Sequence, residues 1–140
     1  MKVVFDTNVY VAEALLGENA EQIIAATIQS SWRIFVSDYL LDETVRVLTE
    51  HFGCSIRFAS LTKRRIARRS VFVEPRISRH QVPNDPDDSP IPAAALEAGA
   101  DYLVSNDRHL LDLNPYEGLR IVSMSEYRAI LIAEGFLRDI

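Results

Sequence analysis

The sequence predicts an α/β fold, a parallel sheet with helices on both faces. Two observations carry that expectation. Short apolar runs recur along the chain: KVVF at Lys2–Phe5, RIFV at Arg33–Val36, VFV at Val71–Val73, YLVS at Tyr102–Ser105 and RIV at Arg120–Val122. Segments with helical spacing lie between them, and strands that alternate with helices pair in parallel and are covered on both sides. No repeat, low-complexity tract or linker divides the chain, so residues 1–140 are expected to form one domain, long enough to bury a core.

The elements follow in order. After the first strand, Val9 to Leu16 is apolar and helical, and Gly17 breaks it. Ala20, Ile23, Ile24, Thr27 and Ile28 then repeat at helical spacing. Ser37 or Asp38 caps a helix after the second strand that runs to about Phe52. A basic helix is expected over Ser55 to Arg69. A polar, proline-containing loop spans Asn84 to Asp88, followed by a helix from Pro90 to Ala98 that Gly99 stops. Prolines 90 and 92 fit the first helical turn, where no amide donor is required. Asp107 opens a short helix, and Ser123 or Ser125 caps a closing one. Its Tyr127, Ile130, Leu131 and Phe136 are expected to belong mostly to the core.

Composition excludes several classes. Apolar residues make up 48% and charged residues 25%, as in ordinary globular chains. No apolar run approaches the ~20 residues of a membrane span, and MKVVFD reads as a strand and an acid rather than a signal peptide. One cysteine, Cys54, allows neither an internal disulfide nor a cysteine metal site, which fits the cytoplasm. The net charge is −5, yet Arg57 to Arg79 holds eight basic residues and one acid, so an acidic chain can still offer a polyanion one basic patch. Neither G-x-x-x-x-G-K-[ST] nor G-x-G-x-x-G occurs, which removes nucleotide binding through those motifs.

Acids gather at the joints of this architecture. Ligand sites of open parallel sheets lie beyond the carboxyl ends of the strands. Asp6 follows the first strand, Asp107 follows the fourth, and Asp88 starts the helix that feeds the fourth. In the helix after strand two, Glu43 shares a face with Leu40 and Val47, whereas Asp42 points elsewhere and is expected to pair with Arg46. By the same logic Asp88, three residues before Ile91, faces inward and Asp87 outward. Singly, Asp6, Asp88 and Asp107 read as helix caps, and Glu43 as a half-exposed helix acid. Together, four carboxylates at one sheet edge repel unless protonated or neutralised by cations. Carboxylates and water are the natural ligands of Mg²⁺ or Mn²⁺.

With these residues in place, the chain resembles the PIN-domain family, a fold of many metal-dependent nucleases. The matching pieces are VVFDTNVYV, VSDYLLDETVRVL and NDPDDSPIPAAALEAGADYLVSNDRHLL, in that order and spacing. It is similar above all to the PIN ribonuclease toxins of prokaryotic toxin–antitoxin modules, the VapC type and its relatives. The resemblance implies a three-layer α/β/α sandwich around about five parallel strands in the order 3-2-1-4-5. It implies hydrolysis of RNA phosphodiester bonds with one or two Mg²⁺ or Mn²⁺ ions. The family's acids fall on Asp6, Glu43, Asp88 and Asp107, and its supporting polar positions on Asn8 and Ser105. An antitoxin partner and a homodimer are implied too. One departure is His109, where related sequences often carry a further acid.

Because an acidic pocket repels RNA, the basic segment centred on Lys63, Arg64, Arg65, Arg68 and Arg69 is the candidate phosphate-binding surface; a solvated helix face is the alternative. A haloacid-dehalogenase-like phosphotransferase needs a second Asp where Asn8 stands. A receiver domain needs an acid pair at the first strand and a late Lys, and no Lys follows Lys63. The remaining alternative is a PIN-fold module that binds RNA or protein without cutting.

Overall fold

In the computed structural model, residues 1–74 and 90–139 are described. Five strands form one parallel sheet: β1 (Lys2–Phe5), β2 (Arg33–Val36), β3 (Val71–Phe72), β4 (Tyr102–Val104) and β5 (Arg120–Val122). Their order is β3-β2-β1-β4-β5, as the family resemblance implies. Registers such as Val4 against Phe35 and Leu103 against Val4 place β1 at the centre. Successive strand residues point to opposite faces. Val3, Val4 and Phe5 are all buried, as are Ile34, Phe35 and Val36, so helices cover both faces in an α/β/α sandwich.

Five of the helices start where a side chain satisfies orphan amides. Asp6 caps α1 (Thr7–Leu15), which therefore begins two residues before its apolar run. Gly17 then adopts a left-handed φ of 72° that turns the chain into α2 (Glu18–Gln29). Ser37, not Asp38, caps α3 (Asp38–Arg46). That helix continues as a π-helical turn over Val47–His51, and this irregularity is invisible to a 3.6-residue period. Ser55 caps α4 (Ile56–Arg68). The alanine-rich α5 (Pro90–Ala98) packs Ile91, Ala95 and Ala98 into the core around the sheet. Asp107 caps the one-turn α6 (Arg108–Leu111). Ser123 and Glu126 form a reciprocal capping box on α7 (Met124–Ala133).

The main core lies around the sheet. Phe5 meets Tyr10 and Tyr127 edge-on, and Tyr127 donates to or accepts from Thr27 Oγ1 at 2.6 Å. Tyr127 and Leu131 are fully buried, and Ile130 and Phe136 pack partly buried against the same core. A second, smaller cluster (Val11, Leu48 and Ala59) joins α1, the π-helical turn and α4. Among the described residues no helix is long and apolar enough to cross a membrane.

Candidate active site

The carboxyl ends of β1 and β4 are adjacent because the two strands pair. The residues that follow them, Asp6 and Ser105, are therefore neighbours although 99 positions apart, and the Ser105 hydroxyl donates to Asp6 Oδ2 at 2.7 Å. The Thr7 amide donates to Asp6 Oδ1 at 2.7 Å. Asp6 is thus a helix cap and a site residue at once; the two readings of its sequence position do not compete. Ser105 is fully buried and uses its whole hydrogen-bonding capacity. Besides donating to Asp6 it accepts from the Asp107 amide at 2.9 Å and, more weakly, from Asn8 Nδ2 at 3.5 Å. Asn8 Oδ1 in turn accepts from the Asn106 amide at 3.4 Å.

Asp6, Glu43 and Asp107 open onto one cavity of about 490 Å³, which Thr7, Asn8 and an apolar wall complete. Thr7 was not singled out by its sequence, yet its hydroxyl donates to Glu43 Oε1 at 2.6 Å and holds that carboxylate over α1. The signal was its place directly after Asp6, at the first position of a helix that α3 crosses. Asp107 Oδ1 accepts from the His109 amide at 2.8 Å, and the His109 ring stands 3.6 Å from the same oxygen. Asp88 lies outside the described residues.

Electrostatics make Asp6 unusual. Burial pushes its carboxyl up to about 6, against the Ser105 and Thr7 hydrogen bonds, which favour the charged form. Glu43 and Asp107 push it further the same way. No basic side chain pairs with Asp6 among the described residues. The donors facing the cavity are oxygens, which suits a hard divalent cation. Among the described residues, no three carboxylate, imidazole or thiolate groups stand close enough together to hold a metal ion by themselves.

Two surface pairings differ from expectation. Arg46 reaches Glu43 at 3.8 Å and Glu50 at 3.7 Å, while Asp42 pairs with Lys63 at 3.0 Å. Thr7 and Arg46 both pull on Glu43, whereas Asp42 faces α4. On α4, Leu61 and Arg64, Arg65, Arg68 and Arg69 line a separate hollow of about 250 Å³. Arg69 makes a two-pronged bridge to the buried Glu13, at 2.7 and 2.8 Å, and Arg65 approaches the same carboxylate at 3.4 Å. Burial opposes the Arg69 charge, but Glu13 outweighs it and holds the guanidinium above its ordinary pKa. Of the five basic residues singled out, Arg64 and Arg68 make no ion pair among the described residues.

Comparison with known proteins agrees with this fold. A family model described as PIN domain matches residues 2–109, a span that includes Asp6, Glu43, Asp88 and Asp107. Among solved structures, the chain is similar to one from the complex described as VapBC2 from Rickettsia felis bound to a DNA fragment from their promoter. The TM-score is 0.65 at 13% identity, covering 88% of this chain and 98% of that one, so the likeness is one of fold. No curated protein matches the sequence. With its family model spanning most of the chain, its strand order and its acids at the β1 and β4 ends, the protein belongs to the PIN-domain family.

Proposed function

We propose that this protein is a Mg²⁺- or Mn²⁺-dependent endoribonuclease, the toxin component of a cytoplasmic toxin–antitoxin module. One observation carries the reading: a buried carboxylate, Asp6, without a cationic partner among the described residues, in a cavity that two further acids share. A buried charge in such a place calls for a cation. Asp6, Glu43 and Asp107, with Asp88, are the residues that would hold one or two ions. When bound, such ions activate water and stabilise charge on a phosphate. The chain's own residues prepare the site. Ser105 and the Thr7 amide fix both oxygens of Asp6. The Thr7 hydroxyl fixes Glu43, whose role in this reading is that of a metal ligand or of the group that orients the attacking water. Asn8 and Ser105 brace the turn that carries Asp107.

The structural neighbour comes from a VapBC complex, and this favours an antitoxin as partner and a homodimer as the working form. The basic face of α4, with Arg64 and Arg68 foremost, is the candidate surface for the RNA backbone.

The test is cleavage of a labelled structured RNA with Mn²⁺, Mg²⁺ or EDTA, beside Asp6→Asn and Asp88→Asn. The expected result is metal-dependent cleavage that each variant lowers by more than ~100-fold, beyond the usual cost of losing an outer-shell partner. Intact RNA throughout, with Mn²⁺ binding confirmed, supports instead a PIN-fold module that binds without cutting.

A further inference from the structure

The acids of the cavity have little to balance them. Among the described residues, Arg46 is the one lysine or arginine that pairs with any of Asp6, Glu43 and Asp107, and it stands 3.8 Å from Glu43 Oε2. The Thr7 hydroxyl holds the other oxygen, Oε1. Arg46 also stands 3.7 Å from Glu50 Oε2. Both distances exceed the ~2.7–2.9 Å of a charge-assisted hydrogen bond. Among the described residues this guanidinium makes no hydrogen bond at all. Arg69, in contrast, commits both prongs to Glu13 at 2.7 and 2.8 Å.

The helix puts Arg46 there. It is the last residue of α3, one turn beyond Glu43 and next to the π-helical turn. Residues three apart are neighbours on a helix surface, so the backbone alone sets the guanidinium beside the carboxylate. Glu43 lines two hollows at once, the acidic cavity and a smaller one of about 170 Å³ that it shares with Tyr39, Asp42 and Arg46. Arg46 therefore stands next to the acids, across Glu43. Its side chain is 53% exposed, so it can turn without unpacking a core. A loose, exposed ion pair of this kind adds almost nothing to stability, so stability does not explain the placement. Charge does. Three carboxylates and one phosphodiester carry four negative charges, twice what a single divalent ion supplies.

We propose that Arg46 is a phosphate-binding residue that alternates between two partners, the Glu43 carboxylate and a phosphate oxygen of the RNA. The proposal rests on the ribonuclease reading and adds to it a cation supplied by the chain itself. The second partner suits a guanidinium, whose fork matches two oxygens of a phosphate as a lysine cannot. The first is one it must give up, because a guanidinium and a divalent cation at the same carboxylate repel each other. Arg46 thus competes with the metal and grips the substrate, and its loss has opposite signs for the two. A residue that only props Glu43 changes both affinities in the same direction. An ordinary surface pair changes neither.

The experiment measures two affinities, neither of them by turnover. Calorimetry gives Kd for Mn²⁺ in the absence of RNA. Fluorescence anisotropy of a labelled short RNA gives its Kd on an Asp6→Asn background, where cutting is suppressed, with Mn²⁺ in excess. The variants are Arg46→Gln, Arg46→Lys and Arg33→Gln. Arg33 stands at the amino end of β2, away from the acids at the carboxyl ends, so its variant controls for net charge. Arg46→Gln is expected to lower the Mn²⁺ Kd by about 3- to 10-fold, the size of a unit-charge repulsion at ~4 Å in water. It is expected to raise the RNA Kd by about 10- to 100-fold, the usual size of a hydrogen-bonded contact between charged groups. Arg46→Lys should keep the Mn²⁺ Kd near the parent's and restore the RNA Kd only in part. Arg33→Gln should leave both unchanged. An RNA Kd that does not move in Arg46→Gln overturns the proposal and leaves Arg46 a surface ion pair. A Mn²⁺ Kd that is unchanged or raised overturns it as well, because Arg46 then does not compete for Glu43. If the parent cleaves RNA in either case, the ribonuclease reading stands without Arg46. If both shifts appear and the parent cuts nothing, the phosphate contact stands and hydrolysis falls.

Discussion

Two buried carboxylates flank α1, one at its cap and one near its end. Asp6 is 5% exposed and Glu13 7%, yet their surroundings are opposite. Glu13 receives three guanidinium contacts from Arg65 and Arg69. Among the described residues Asp6 receives only a hydroxyl and an amide; burial first, and then two facing acids, raise its pKa to about 6. Among the described residues, the fold neutralises one buried charge itself and offers the other no cation. Asp6 therefore costs the apo fold stability, and Glu13, with its partners, ties α1 to the end of α4.

The largest expected effect that separates them is on stability. Glu13→Ala leaves Arg69 without its partner and should cost about 3 kcal/mol, the low end of the range for a broken buried pair, because 18% of the Arg69 side chain stays in water. A lower urea midpoint at unchanged m shows it. An unchanged midpoint would break the comparison. Asp6→Asn should act in the other direction, raising stability at pH 7 by about 1–3 kcal/mol, because an asparagine needs no charge there. The carboxyl's folded pKa lies above its unfolded value, so the folded state holds the proton more tightly. The penalty is absent below about pH 3.8, grows towards about pH 6 and is constant above it. The gain from Asp6→Asn should follow that window in melts taken from pH 3 to 8.

Cation binding sharpens the contrast from the other side. Mn²⁺ affinity, measured by calorimetry, should be steady above pH 7 and fall by up to ~10-fold per unit below about pH 6, as the Asp6 proton competes. The smallest effect concerns α4. Replacing Arg64 and Arg68 by Gln should weaken RNA binding and make the log–log salt slope shallower by ~1.4, two single-strand phosphates' worth. Replacing Arg69 should show mainly as lost stability. An unchanged slope removes the α4 face from the RNA surface.

The fold was legible because its signals are local. KVVF and RIFV are apolar runs with nowhere to go but a doubly covered sheet, and Ser37, Ser55 and Ser123 stand where helices begin. Asp6 and Asp107 were legible for a topological reason, since carboxyl ends of adjacent parallel strands meet at one edge. What stayed hidden depends on contacts across the chain. The Thr7 hold on Glu43 spans 36 positions and the Glu13–Arg69 bridge 56. Arg46 prefers Glu43 and Glu50 because α4 occupies Asp42 through Lys63. The place of Phe52 on the cavity wall was hidden for another reason: helical periodicity assumes a constant turn, and the π-helical turn changes it.

The central place of β1 has a consequence during synthesis. The strand that carries Asp6 is the first to leave the ribosome, but its hydroxyl donor Ser105 is made 99 residues later. At roughly 5–20 residues per second, the two are separated by about 5–20 s of translation. Through that interval the nascent chain holds β1 with one flank unpaired and no pocket beside Asp6. The site beside Asp6 therefore stays incomplete until the fourth strand arrives.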